Sequence, residues 1–107
     1  MTMAQFDAYE NPAVAQREGF PFLVVLQSDQ LDHHSTRLVM PLARLPRDPQ
    51  GWPHRLAQPV QVRGERLYPA AHLCAPFPAK LLRSPVASLR HESAVFVDAL
   101  DAVIAGV

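Results

Sequence analysis

The sequence is poor in several things, and each shortage excludes a class of protein. It holds one cysteine, Cys74, so no intrachain disulfide can form and a disulfide-stapled fold is excluded. That usage suits a reducing compartment, and a cytoplasmic location is expected. There is no surplus of either charge: 10 basic and 10 acidic residues give a formal net charge of zero. Non-specific nucleic-acid binding rests on Lys and Arg neutralising phosphates, and the overall balance does not supply them. No run approaches the roughly 18 apolar residues of a membrane span. The start, MTMAQFDAYEN, has neither a basic segment nor an apolar core, so no secretory leader is expected. Repeats and low-complexity stretches are missing too.

What the chain does have is apolar content and proline. Hydrophobic types make up 49% of its 107 residues, enough for a folded core. That length fits one domain, residues 1–107. A domain this small buries a modest share of its surface, and a partner subunit would help it. Eleven prolines divide the sequence into short pieces.

Short strands are the natural reading of those pieces. AQFDAY (4–9) is a candidate first strand, and ENPAVAQREG (10–19) reads as a loop. Phe22–Leu26 is a continuous apolar run with β-branched Val24 and Val25, which favours a buried strand. Arg37–Met40 is a second run, and Pro41 is expected to end it or to mark an edge. Residues 43–59, with four prolines, read as a long connection. PVQVR and ERLYPAAHL suggest a hairpin about Gly64-Glu65, pairing Val60 and Val62 with the region from Leu67 to Ala70. KLLRSPVASL mixes further short runs with Pro85.

The last segment differs. Apolar residues at 95, 96, 99, 100, 103 and 104 make one stripe at helical spacing. Ser88 is a candidate N-cap, Glu92 a favourable charge near the start, and Gly106 a fitting end. Asp98 and Asp101 fall on the other side as a solvated face. Several short strands closed by one amphipathic helix predict a small, mostly β barrel with a helix packed on it.

The chemistry-bearing residues do not assemble into a reaction centre. Asp29, Asp32, His33 and His34 are the most tempting cluster. Neighbouring histidines on an extended chain point to opposite faces, and no further histidine stands at ligand spacing. The tract reads instead as a polar turn between two strands, with Asp29, Asp32, Ser35 and Thr36 bonding local backbone. Cys74 lies between apolar residues and reads as a small hydrophobe. His72, two residues away, is a weak indication of a base for it. The carboxylates show no paired acid/base motif, and phosphate loops and hydrolase signatures are missing. Nine single arginines would need the fold to gather them into an RNA groove. Tyr9, Trp52 and Tyr68 are too scattered to infer a stacking platform. The apolar end, IAGV, either folds back on the core or sits at a surface made to touch a partner.

AQFDAY, VVLQSD, TRLVMPLA, SPVASL and the closing helix ending AGV together resemble the CcdB family of bacterial toxins, over nearly the whole chain. QSD, a short polar stretch and RLVMPL carry most of the likeness. The resemblance implies the toxin half of a toxin–antitoxin module: a two-fold homodimer of SH3-like antiparallel barrels, each with a C-terminal α-helix. Such proteins are not enzymes and use no cofactor or metal. They bind the A subunit of DNA gyrase, trap it on cleaved DNA, and are neutralised by a cognate antitoxin. No direct nucleic-acid binding by the toxin alone, and no membrane, is implied.

The gyrase-contacting end of the family carries over onto Ala105, Gly106 and Val107. The best-known pattern there is tryptophan, glycine, isoleucine, so Gly106 agrees, Val107 is conservative and Ala105 departs. A tryptophan is often an interface anchor worth roughly 2–4 kcal/mol. At about 1.4 kcal/mol per tenfold, its loss would lower affinity on the order of a hundredfold. The resemblance leaves an RNA-cleaving toxin of the related small-barrel group, or a harmless antitoxin-binding module, as the alternatives.

Overall fold

The computed structural model describes residues 4–27 and 35–105. Seven antiparallel strands carry the fold: β1 (Asp7–Glu10), β2 (Phe22–Val25), β3 (Thr36–Ala43), β4 (Val60–Val62), β5 (Glu65–Pro69), β6 (Ala75–Pro78) and β7 (Pro85–Ser88), followed by α1 (Ser93–Ala105). They run in the order β4–β5–β3–β2–β1–β7, with β6 on the N-terminal half of β3. The sheet curls into a nearly closed barrel with the helix packed on it, so the expected mostly β barrel with a C-terminal helix is the architecture found.

Side-chain alternation sorts the residues between two apolar layers. Ala8, Phe22, Val24, Leu26, Met40 and Leu42 point into the main core with Val60, Val62, Leu67, Phe96 and Ala99. Tyr9, Leu23, Val25 and Val39 point the other way and pack with Leu82 and Phe77. Both faces of β2 are therefore covered, which is why its sequence is an unbroken apolar run with no polar alternation.

Pro41 does not end its strand. β3 runs on to Ala43, and Pro41 stands opposite Leu23 in the β2 ladder. A strand residue's N–H and C=O point to the same side. The Pro41 carbonyl accepts from the Ala70 N–H at 2.8 Å, so its missing donor also faces away from β2. That side is where β3 changes partner, from β6 (up to Val39 with Ala75) to β5 (from Leu42 with Pro69). The proline falls where no ladder bond is required.

The same parity explains the prolines of β6. Pro76 and Pro78 stand opposite Leu38 and Thr36. Leu38 directs its carbonyl to Leu26 N–H in the other direction, so these two are the non-bonded positions of the β3–β6 pair. Both pyrrolidine nitrogens face outward from the sheet.

The hairpin is displaced by one residue from its expected turn. Arg63 (φ 53°) and Gly64 (φ 79°) are the turn residues, and Glu65 already belongs to β5. Two successive positive φ angles form a two-residue turn whose twist suits a hairpin. Val60 pairs with Leu67 as expected, but Val62 pairs with Glu65. The first strand begins at Asp7, three residues later than AQFDAY suggests. Phe6, at φ 69°, turns the chain into it.

The loop between β1 and β2 is built on Asn11, which is buried. Its Oδ1 accepts from Ala13 N–H and its Nδ2 donates to the Phe20 carbonyl, both at 2.9 Å. Asparagine is suited to this because its short amide can bond its own backbone two residues on.

The helix also differs in detail from its sequence reading. Ser88 ends β7 and caps nothing; a 3-10 turn at Arg90–Glu92 leads into α1. The buried face is Phe96, Ala99 and Ala102, while Val103 and Ile104 turn outward. Two alanines on that face let the helix lie close to the short turns at His54–Leu56 and Ala71–Leu73, against which it packs.

Candidate functional site

The end of α1 is the surface the sequence singles out. Ala105 is its last residue and is exposed. Before it, Val103 keeps 41% and Ile104 81% of its surface exposed. Val97, about two turns earlier, is 49% exposed, with Asp101 between. The described end of the chain thus presents aliphatic groups to solvent instead of folding them back, as one of the two sequence readings had it. Gly106 and Val107 lie outside the described residues. An isoleucine left 81% exposed gains little from the fold, since its burial is worth roughly 1.5–3 kcal/mol only when water is removed.

The segment from Arg44 to Pro59 lies next to this helix and is held at several points. Arg44 makes a two-pronged contact with Glu65, Nε to Oε2 and Nη2 to Oε1, and its Nη1 donates to the Glu18 carbonyl at 2.8 Å. Farther along, Asp48 Oδ1 accepts from Tyr68 Oη at 2.8 Å and from Arg66 Nη1 at 3.2 Å. At the far end, the 54–56 turn packs on α1, and Gln58 Nε2 stands 3.5 Å from Asp98 Oδ2. The proline-rich connection is a strap pinned to β5 and to the helix.

These contacts set the electrostatics. The Tyr68 hydroxyl, then Arg66, hold the Asp48 carboxyl below its ordinary value. Arg44 does the same for Glu65. Burial, reinforced by Asp48, raises the Tyr68 phenol. Spacing in the sequence carries no hint of these pairs, whose members lie 18 to 21 positions apart. They came together only because β5 returns beside the end of β3.

The other sequence candidates separate. Asp29, Asp32, His33 and His34 lie outside the described residues. The strands on either side, β2 and β3, are antiparallel neighbours. Gln27 bridges their ends, its Oε1 accepting from Leu38 N–H at 3.2 Å. Among the described residues no three His, Cys, Asp or Glu side chains gather as a metal-holding group. Cys74 is partly buried against the main core, and that burial raises its thiol above the ordinary value, which is the opposite of a nucleophile's requirement.

Arg17, Arg44 and Arg63 do line one pocket, but Glu10 and Glu18 line it with them, so it is mixed in charge and not a basic groove. Arg17 meets Glu10 at 3.1 Å, Arg44 meets Glu65, and Arg66 meets Asp48. Asp98 is not simply solvated; it is half-buried beside Gln58, whereas Asp101 is exposed. Among the described residues, no helix is long and apolar enough to cross a membrane.

One apolar groove stands apart from the helix end. It has a volume of about 740 Å³ and lies over the second layer, lined by Phe20, Leu23, Val39, Pro41, Leu73 and Phe77 among others. A smaller pocket of about 170 Å³ opens between the strap and β5, around Trp52 and Tyr68.

Comparison with known proteins agrees with this arrangement. No curated protein matches the chain. The profile of the CcdB protein family matches residues 5–106, which takes in every strand and the helix. With nearly the whole sequence covered and the barrel-plus-helix architecture in place, the chain belongs to the CcdB family of toxin–antitoxin toxins.

Proposed function

We propose that the protein is a cytoplasmic, homodimeric toxin that binds the A subunit of DNA gyrase, traps the enzyme on cleaved DNA, and is neutralised by a cognate antitoxin. The chain acts as one unit and performs no reaction of its own. Ala105, Gly106 and Val107 make the gyrase contact.

The observation that carries this reading is the exposed aliphatic end of α1: Val103, Ile104 and Ala105 are all exposed among the described residues, Ile104 most of all. Apolar groups displayed at a chain end, in a family of toxins that act on another protein, are an interface awaiting its partner. Zero net charge fits a protein that grips protein. An RNA-cleaving role would need a basic groove, and Arg17, Arg44 and Arg66 are each matched by a carboxylate.

The decisive experiment adds the purified protein to gyrase in a supercoiling and DNA-cleavage assay. At micromolar dimer, linear DNA bound to gyrase is expected to accumulate as supercoiling falls. Unchanged supercoiling would overturn the reading, and growth unimpeded by expression without antitoxin would favour a harmless binding module. Sedimentation should give about twice the 11.9 kDa chain mass.

A further inference from the structure

Trp52, Tyr68 and His72 are scattered in sequence, but the fold brings them to one pocket. It is completed by Gly51, Pro53, Leu56, Pro69 and Ala70, and its volume is about 170 Å³. A dry protein cavity of roughly 150 Å³ accommodates a benzene molecule, so this space suits one six-membered ring. No Lys, Arg, Asp or Glu is among the lining residues. A nucleotide would bring a phosphate for which the walls offer no fixed cation. A neutral ring brings nothing the walls cannot satisfy.

The pocket is built before any ligand arrives. Gly51, at φ 76°, makes the bend that leads into Trp52, a conformation glycine adopts without strain. Tyr68 is fixed through its hydroxyl to Asp48, and Asp48 is held in turn by Arg66. Leu56 belongs to the turn that packs on α1 and is partly buried against the main core. Walls fixed in this way lose little freedom on binding, which is where preorganised sites gain affinity. Yet Trp52 keeps 42% of its surface exposed, so its indole is only partly covered within the chain.

We infer that this pocket receives one aromatic side chain, of the phenylalanine class, from a partner protein. The two aromatic and two proline rings of the lining match such an occupant in chemistry, and the volume matches it in size. The site is independent of the exposed end of α1.

N-acetyl-L-phenylalaninamide is the probe. Trp52 is the chain's single tryptophan, so its emission reports on the pocket, and amide shifts of Gly51, Tyr68 and Ala70 locate the contact. Titration of the full-length protein should give a saturable response with a dissociation constant of about 1 mM, the scale for one small apolar group. Ala70→Leu, which fills the space, should weaken it at least tenfold; Trp52→Ala, at an exposed position, should do the same by amide shifts without threatening the fold. N-acetyl-L-leucinamide should bind several-fold more weakly. The inference is overturned by no saturable response, by equal binding of the leucine compound, or by binding that both variants retain. Binding of toluene without the phenylalanine compound would also overturn it, since that describes a cavity closed to side chains.

Discussion

The rings of Phe6 and Phe96 stack with centroids 5.7 Å apart and planes inclined by 26°. This joins the first turn of the chain to the last helix. The Phe6 N–H donates to the Val25 carbonyl at 2.6 Å, and its own carbonyl accepts from Leu89 N–H at 2.8 Å. One residue thereby fixes β2, the approach to α1 and, through Phe96, the helix itself. Phe96 is fully buried. Phe96→Ala should destabilise the fold by about 3–5 kcal/mol, a large share of the 5–15 or so typical of a domain. Phe6→Leu keeps apolar bulk but loses the ring pair, and should cost roughly 0.5–1.5 kcal/mol. Urea unfolding of the two variants measures both. No measurable loss in Phe6→Leu would show that the stack is incidental.

The turn at Arg63 and Gly64 allows a sharper test, because nothing lies within 4 Å of where a Gly64 side chain would begin. Any effect there comes from backbone conformation alone. Gly64→Ala should lower stability by roughly 1 kcal/mol. Arg63→Asn, by giving the residue best suited to the first position of such a turn, should leave stability unchanged or slightly raised. Thermal melts would register both.

Acid should loosen the strap. The Asp48 and Glu65 carboxyls are held below their ordinary values of 3.8 and 4.5 by Tyr68 and Arg44 respectively. A carboxyl depressed in the folded state adds stability above its unfolded value and loses it as pH falls through the folded one. Unfolding midpoints should therefore drop below about pH 4.5, and Asp48→Asn with Glu65→Gln should flatten the slope there. Tyr68 has the opposite sign: its raised phenol favours the neutral form, so its contribution is present below its ordinary value of 10.0 and fades as pH rises through the higher folded value. Stability that is flat from pH 5 down to 3 in the parent protein would contradict these pairings.

At the end of α1, deletion of Gly106 and Val107 should abolish gyrase binding and leave the melting curve nearly unchanged. Ala105→Trp should strengthen binding, by up to about a hundredfold if the ring becomes a buried anchor. Calorimetry or surface-bound gyrase would measure both. Retained binding by the truncated chain would remove the terminal residues from the contact.

How much of this was visible in the sequence depends on the range over which each signal acts. The buried strand at 22–25 and the closing helix declare themselves through neighbours a few positions apart. The likeness to the CcdB family placed the barrel around them. Pro41 misled, because its meaning depends on which side of β3 its nitrogen faces, and that is fixed by Ala70 at a distance. Ser88 misled as a cap because β1 claims it as a strand partner. The helix stripe missed Ala102, which is buried, and took in Val103 and Ile104, which the fold leaves exposed. The pairs of Asp48 with Tyr68 and of Arg44 with Glu65 had no local trace, and they turn a proline-rich connection into a fixed strap.

The outward nitrogens of Pro76 and Pro78 bear on what this protein can assemble with. A foreign chain laid along that border would meet carbonyls and no N–H donors, so half of the usual rungs are unavailable to it. Fibre growth or domain exchange by strand addition is thereby discouraged at this margin. Copies that meet along this margin must therefore do so through side chains, leaving the choice of companion there to shape and chemistry rather than to generic backbone pairing.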